Sequence, residues 1–118
     1  MSTYEADALR LRVLANHDGM TVFFEGRSDK RHPATTLTPW FEEILPQLNN
    51  QRVHVEFCNF EYMNSSSLMP IFQFLRDTAE RATGLRVTYD SSKDWQRLSF
   101  SSLSALASGW SNFSLEAQ

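Results

Sequence analysis

Two short alternating segments with a long helical pattern between them constrain this chain more than any other feature. In RVHVEFC, residues 52 to 58, Val53, Val55 and Phe57 alternate with His54, Glu56 and Cys58. A period of two marks a half-buried strand. LRVTY, ending at Tyr89, is a second run of this kind. Between them Leu68, Ile71, Phe72, Leu75 and Ala79 recur at helical spacing, and Gly84 is a suitable residue to end the helix. A strand, a helix and a strand in this order favour a parallel pair joined by a helical crossover, which demands a sheet with helices packed on it.

The flanking segments extend the pattern. ALRLRVLA alternates through Leu9, Leu11 and Val13 as a strand. Asp18-Gly19 signals a turn, so MTVFFEG is its hairpin partner. Residues 27 to 37 are polar and read as a loop. Thr38-Pro39 has the form of a helix cap followed by proline at the first helical position. Trp40, Phe41, Ile44, Leu45 and Leu48 follow at helical spacing, and Pro46 should kink or end that helix. The segment after Tyr89 predicts a helix capped by Ser91 or Ser92, with Trp95, Leu98 and Leu106 inward and Gly109 closing it. WSNFSL is a candidate last strand. The expected order is β-β-α-β-α-β-α-β, an α/β fold with a mixed sheet, in a single domain over residues 1 to 118.

Composition narrows the function classes. The net charge of −3 gives no global argument for binding nucleic acid or an anionic membrane. The one cysteine, Cys58, excludes an internal disulfide and fits a reducing compartment. No apolar stretch approaches the roughly 18 residues of a membrane span, and the N-terminus lacks the apolar core of a signal peptide. A soluble cytoplasmic protein is expected. The three histidines and Cys58 have no metal-ligand spacing, so neither a metal nor another cofactor is expected.

Asn64-Ser65-Ser66-Ser67 lies between a strand and a helix. Structure alone could explain it, because Asn and Ser satisfy the free N–H groups of a helix start. With Ser67 as cap, Pro70 would be the third helical residue and would cost no hydrogen bond. Ser65 and Ser66 would then precede the helix. A nucleophilic serine wants a glycine-flanked elbow and a base. No glycine flanks this run, and nothing places His17, His32 or His54 beside it. A phosphate-binding loop would need glycines and a lysine that are also missing. No enzymatic activity is expected. A serine phosphorylated by another protein needs only exposure and a local field that accepts a dianion, which a helix N-terminus provides.

The stretch VHVEFCNFEYMNSSSLMPIFQFLRDTAERATGLRVTYDSS resembles the STAS domain family, the anti-sigma-factor antagonists, over roughly residues 9 to 108. In that family an apolar strand leads into an Asp-Ser-Ser-Gly-Leu motif, an amphipathic helix, a glycine, a strand and a final helix. Here Asn64 replaces the Asp and Ser67 replaces the Gly. The SiaC-like single-domain branch, which regulates diguanylate cyclases, is more similar, with an Asn before a run of Thr and Ser. The antagonist pattern places the phosphoacceptor at Ser66; the SiaC-like pattern places it at Ser65. The resemblance implies partner switching. The unmodified protein docks a partner through the serine loop and the next helix, a serine kinase adds phosphate, and a metal-dependent serine phosphatase removes it. A cognate kinase, an anti-sigma factor or a diguanylate cyclase would be the partner, and Met63, Asn64, Ser67 and Met69 the contacts. The alternative is an interaction domain fixed in a larger signalling assembly and never phosphorylated.

Other features have plainer readings. Arg27, Lys30, Arg31 and His32 cluster in the first long loop, as a solvated segment or a partner-facing patch. Trp95 is expected in the core, with a docking anchor as its alternative. Met63 and Met69 suit either core filling or an adaptable interface.

Overall fold

Seven strands form one mixed sheet, and three α-helices pack on it, in a computed structural model that describes residues 2–118. The chain runs β1 (Ser2–Ala6), β2 (Leu9–Asn16), β3 (Gly19–Ser28), α1 (Ala34–Ile44), β4 (Arg52–Glu56), β5 (Phe60–Met63), α2 (Ser65–Arg81), β6 (Gly84–Tyr89), α3 (Asp94–Leu106) and β7 (Phe113–Ala117). The sheet order is β1-β2-β3-β4-β6-β7, with β5 paired to β3 beside that path. β1, β2 and β3 are antiparallel neighbours, whereas β4, β5, β6 and β7 join in parallel. The expected α/β class and the opening hairpin around residues 17–18 are present.

Period-two alternation sorts the side chains between two faces. Leu9, Leu11 and Val13 of β2, Val22 and Phe24 of β3, Val53 and Val55 of β4, and Leu85 and Val87 of β6 are buried in a single core. Phe24 lies at its centre, stacked on Phe57 at 4.5 Å between ring centroids. Phe41 of α1 stacks on Phe74 of α2 at 4.2 Å. The intervening strand residues form polar pairs instead. Arg12 and Arg10 both reach Glu25 at 2.9 Å, and Arg86 reaches Glu116 at 3.0 Å. The Arg12 guanidinium, followed by Arg10, holds the Glu25 carboxyl below its usual range.

Several expectations from the sequence need correction. β1 and β5 were not foreseen, because STYEA and FEYM lack a regular apolar alternation. α1 starts at Ala34, well before Thr38, because backbone bonds from Thr36 and Leu37 to Pro33 set the first turn. Pro39 therefore lies inside the helix, and burial of Leu37, Phe41 and Ile44 offsets the bond that it removes. The α-helix does end just before Pro46, as expected, and Pro46 lies in the 3₁₀ turn Leu45–Leu48. α2 ends at Arg81, and Gly84 opens β6 rather than terminating the helix. α3 starts at Asp94, and Lys93, not Ser91 or Ser92, is its N-cap residue. Its inward residues are Gln96, Phe100 and Leu103, whereas Leu98 and Leu106 are 66% and 61% exposed. Gln96 hides the true face because it is polar. Its side-chain amide donates to the carbonyls of Phe57 and Phe60, and its oxygen accepts the Asp90 N–H.

Candidate functional site

The serine run is held by the far end of β3. Gly26 has φ +81°, and a Cβ there would lie 1.8 Å from the Ala8 carbonyl oxygen, so only glycine fits. The register of β5 on β3 shifts between Gly26 and Arg27, after which Arg27 and Ser28 pair with Tyr62 and Met63. Asn64 continues that pairing, donating its backbone N–H to the Ser28 carbonyl at 2.9 Å.

At Asn64 the chain turns from strand to helix. Its backbone is extended, and its side-chain Oδ1 accepts the Ser67 N–H at 3.1 Å, so Asn64 is the N-cap of α2. This corrects the expectation that Ser67 is the cap. Ser67 is the third helical residue and is fully buried. Its Oγ donates to Asn64 Oδ1 at 2.7 Å and lies 2.6 Å from Ser28 Oγ, which is also buried. A hydroxyl has one proton, so with Ser67 donating to Asn64, Ser28 Oγ donates to Ser67 Oγ. Asn64 Nδ2 donates to the Lys30 carbonyl at 2.8 Å, which fixes the orientation of the amide. Pro70 lies inside α2, so the Ser66 carbonyl loses its usual helical partner.

The six expected site residues therefore separate. Ser65 and Ser66 are exposed and occupy the first two helical positions. Their hydroxyls make no hydrogen bond within the chain among the described residues. Met69 is 62% exposed one turn later, and Asn64 is half-buried. Met63 and Ser67, expected at a partner surface, are instead buried, Met63 in the hydrophobic core and Ser67 against Ser28. No acidic residue occupies the first turn of α2, so its N–H groups and helix dipole leave a positive field around the two exposed serines.

Two features beside the serines come from the fold alone: the placement of the basic cluster noted in the sequence, and a groove. The loop that starts at Ser28 lies against the cap through Asn64, which brings the basic cluster to the serine run. Arg27 reaches Asp29 at 3.3 Å and lies over the Tyr62 ring at 5.2 Å. Lys30 reaches Asp7 at 3.5 Å, while Arg31 makes no ion pair among the described residues. The second feature is an open groove of about 270 Å³ lined by Met69, Phe72, Leu103, Leu106 and Trp110 together with the polar Gln73 and Arg76.

The remaining reactive groups lie apart from the serines or have other partners. His54 pairs in register with Thr21, seven residues along β3 from Ser28 and so on the order of 20 Å away. Its Nε2 is 2.8 Å from Thr88 Oγ1, and burial, followed by the nearby Arg86 charge, lowers its pKa. Burial pushes the Cys58 thiol up to about 12, so it holds its proton at neutral pH. Trp95 is half-buried, packs edge-on against Phe60 at 5.7 Å and donates its Nε1–H to the Glu61 carbonyl. Among the described residues, no group of three or more His, Cys, Asp or Glu could hold a metal ion, and no helix is long and apolar enough to cross a membrane. No family model matches the chain, and a search of curated proteins finds no match.

Proposed function

We propose that this chain is a STAS-like regulatory protein of the bacterial cytoplasm, without catalytic activity, that switches partners through reversible phosphorylation of Ser66 or Ser65. The observation that carries this reading is the division of labour along the serine run. Asn64 supplies the cap and Ser67 the buried bonds, which leaves two exposed hydroxyls with no structural task. Phosphate adds about −1.5 to −2 charge. At the start of α2 that charge meets free N–H groups, so the fold tolerates it and the effect falls on whatever docks there. An interface built around a neutral hydroxyl would then have to desolvate a dianion, at a cost of several kcal/mol unless a cation pairs with it.

The partners under this reading are a serine kinase of the anti-sigma-factor type, a serine phosphatase, and either an anti-sigma factor or a diguanylate cyclase as target. Exposed Met69 and the groove behind it supply apolar docking area beside the serines. Titrating a genetically neighbouring kinase or cyclase against Ser→Ala and Ser→Asp variants tests the proposal. Alanine at Ser65 and Ser66 should leave binding intact. Aspartate should weaken it, less than phosphate would because it carries one charge. Unchanged affinity with Asp at both positions would remove the switch and favour a permanently docked interaction domain.

A further inference from the structure

We infer that Asn64 is a latch that makes the loop Asp29–His32 and the first turn of α2 a single docking surface, so that a partner reading Ser65 or Ser66 also contacts Lys30 and Arg31 through its own carboxylates. The partner half of this inference rests on the switch proposed above; the latch does not.

The latch needs chemistry that few residues can supply. A helix cap requires an acceptor, which Ser, Thr or Asp would provide equally well. Asn64 also donates, and its 2.8 Å bond to the Lys30 carbonyl joins the loop to the helix start. An aspartate would keep the cap but place an acceptor against that carbonyl. The Asn64 N–H to the Ser28 carbonyl and the Ser67–Ser28 hydroxyl contact hold the other end of the same loop. The exposed, charged residues that follow β3 are thus held at Ser28 and again at Lys30, where a solvated loop would need no such ties.

The charges indicate the kind of partner. Arg27 and Lys30 have exposed carboxylate neighbours in Asp29 and Asp7, whereas Arg31 has none among the described residues. The positive end of α2 lies beside them. The Asn64–Lys30 bond sets this charged loop next to the serines, so acidic groups on a partner that reads them would complement Lys30 and Arg31.

Trypsin cleaves after Lys30 and Arg31, so native-state digestion reads the latch directly. In Asn64→Asp, cleavage there should be about tenfold faster than in wild type, the opening penalty of roughly one hydrogen bond. Asn64→Ser, which caps but is too short to reach Lys30, should behave likewise. Phe74→Ala serves as a control for general destabilisation. Wild-type cleavage rates in both Asn64 variants, or acceleration no greater than a matched loss of stability produces in Phe74→Ala, would overturn the latch. With the cognate kinase, Arg31→Glu should slow phosphorylation about tenfold at unchanged melting temperature, as loss of a complementary charge does. A wild-type rate in Arg31→Glu would overturn the shared surface while leaving the switch in place. Absence of phosphate on the wild-type protein would remove the switch and the partner half together, and the protease result would still decide the latch.

Discussion

One buried hydroxyl separates structural from exposed serines at the start of α2. Ser67 and Ser28 are both buried and share a hydroxyl contact, and Ser67 also bonds Asn64, so its loss exceeds that of a simple cap. Ser67→Ala should cost about 1–3 kcal/mol in urea unfolding, because Ser28 keeps a buried hydroxyl with its partner gone. Ser28→Ala should cost a similar amount, and the double variant less than the sum; strict additivity would show that the two hydroxyls are uncoupled. His54 gives a second prediction at this scale. Its folded pKa lies below the ordinary 6.5, so the unfolded chain binds more protons as pH falls through and below that value. Stability should therefore decrease on acidification from neutrality, and His54→Gln should flatten that slope in melting curves between about pH 7.5 and 5.5. An equal slope in the variant would show that other groups set it.

At the scale of elements, sequence patterns revealed what periodicity and a single core can encode. Val53 and Val55 marked β4, although the alternation ran on through Phe57 past its end at Glu56, and Ile71, Phe72 and Leu75 marked α2, because each has one wet side and one dry side. The inward face of α3 departs from its apolar pattern because Gln96 satisfies three backbone groups from the core, while Leu98 and Leu106 are left outside. Asparagine and serine are nearly equal caps, so only the tertiary bond of Ser67 to Ser28 decides that Asn64 caps the helix. Nor could spacing show that a loop beginning at Ser28 touches residue 64. Gly26 is the hinge of that contact. Gly26→Ala should cost on the order of 1–3 kcal/mol for the left-handed backbone, and more for the clash with the Ala8 carbonyl. The same change should shift the NMR signals of Asn64 and Ser67, since β5 takes its register there. Undisturbed signals and stability would mean that the bulge can slide.

At the scale of the whole molecule, the two sheet faces have different tasks. One carries the helices and the aromatic core around Phe24, and the other carries arginine–carboxylate pairs. Ser65 and Ser66 stand on the surface of the helical layer, and the core continues beneath them through Ser67, Ile71 and Leu75. On the proposed reading, a charge added there should change what the surface binds and leave the fold in place. The most direct measurement of this account is phosphosite mapping by mass spectrometry after expression with a candidate serine kinase of the anti-sigma-factor type. One phosphate should appear, on Ser66 or else on Ser65, and Ala at both positions should abolish it while circular dichroism stays that of an α/β protein. Phosphate on a residue outside this pair, or no phosphate with an active kinase, would contradict it.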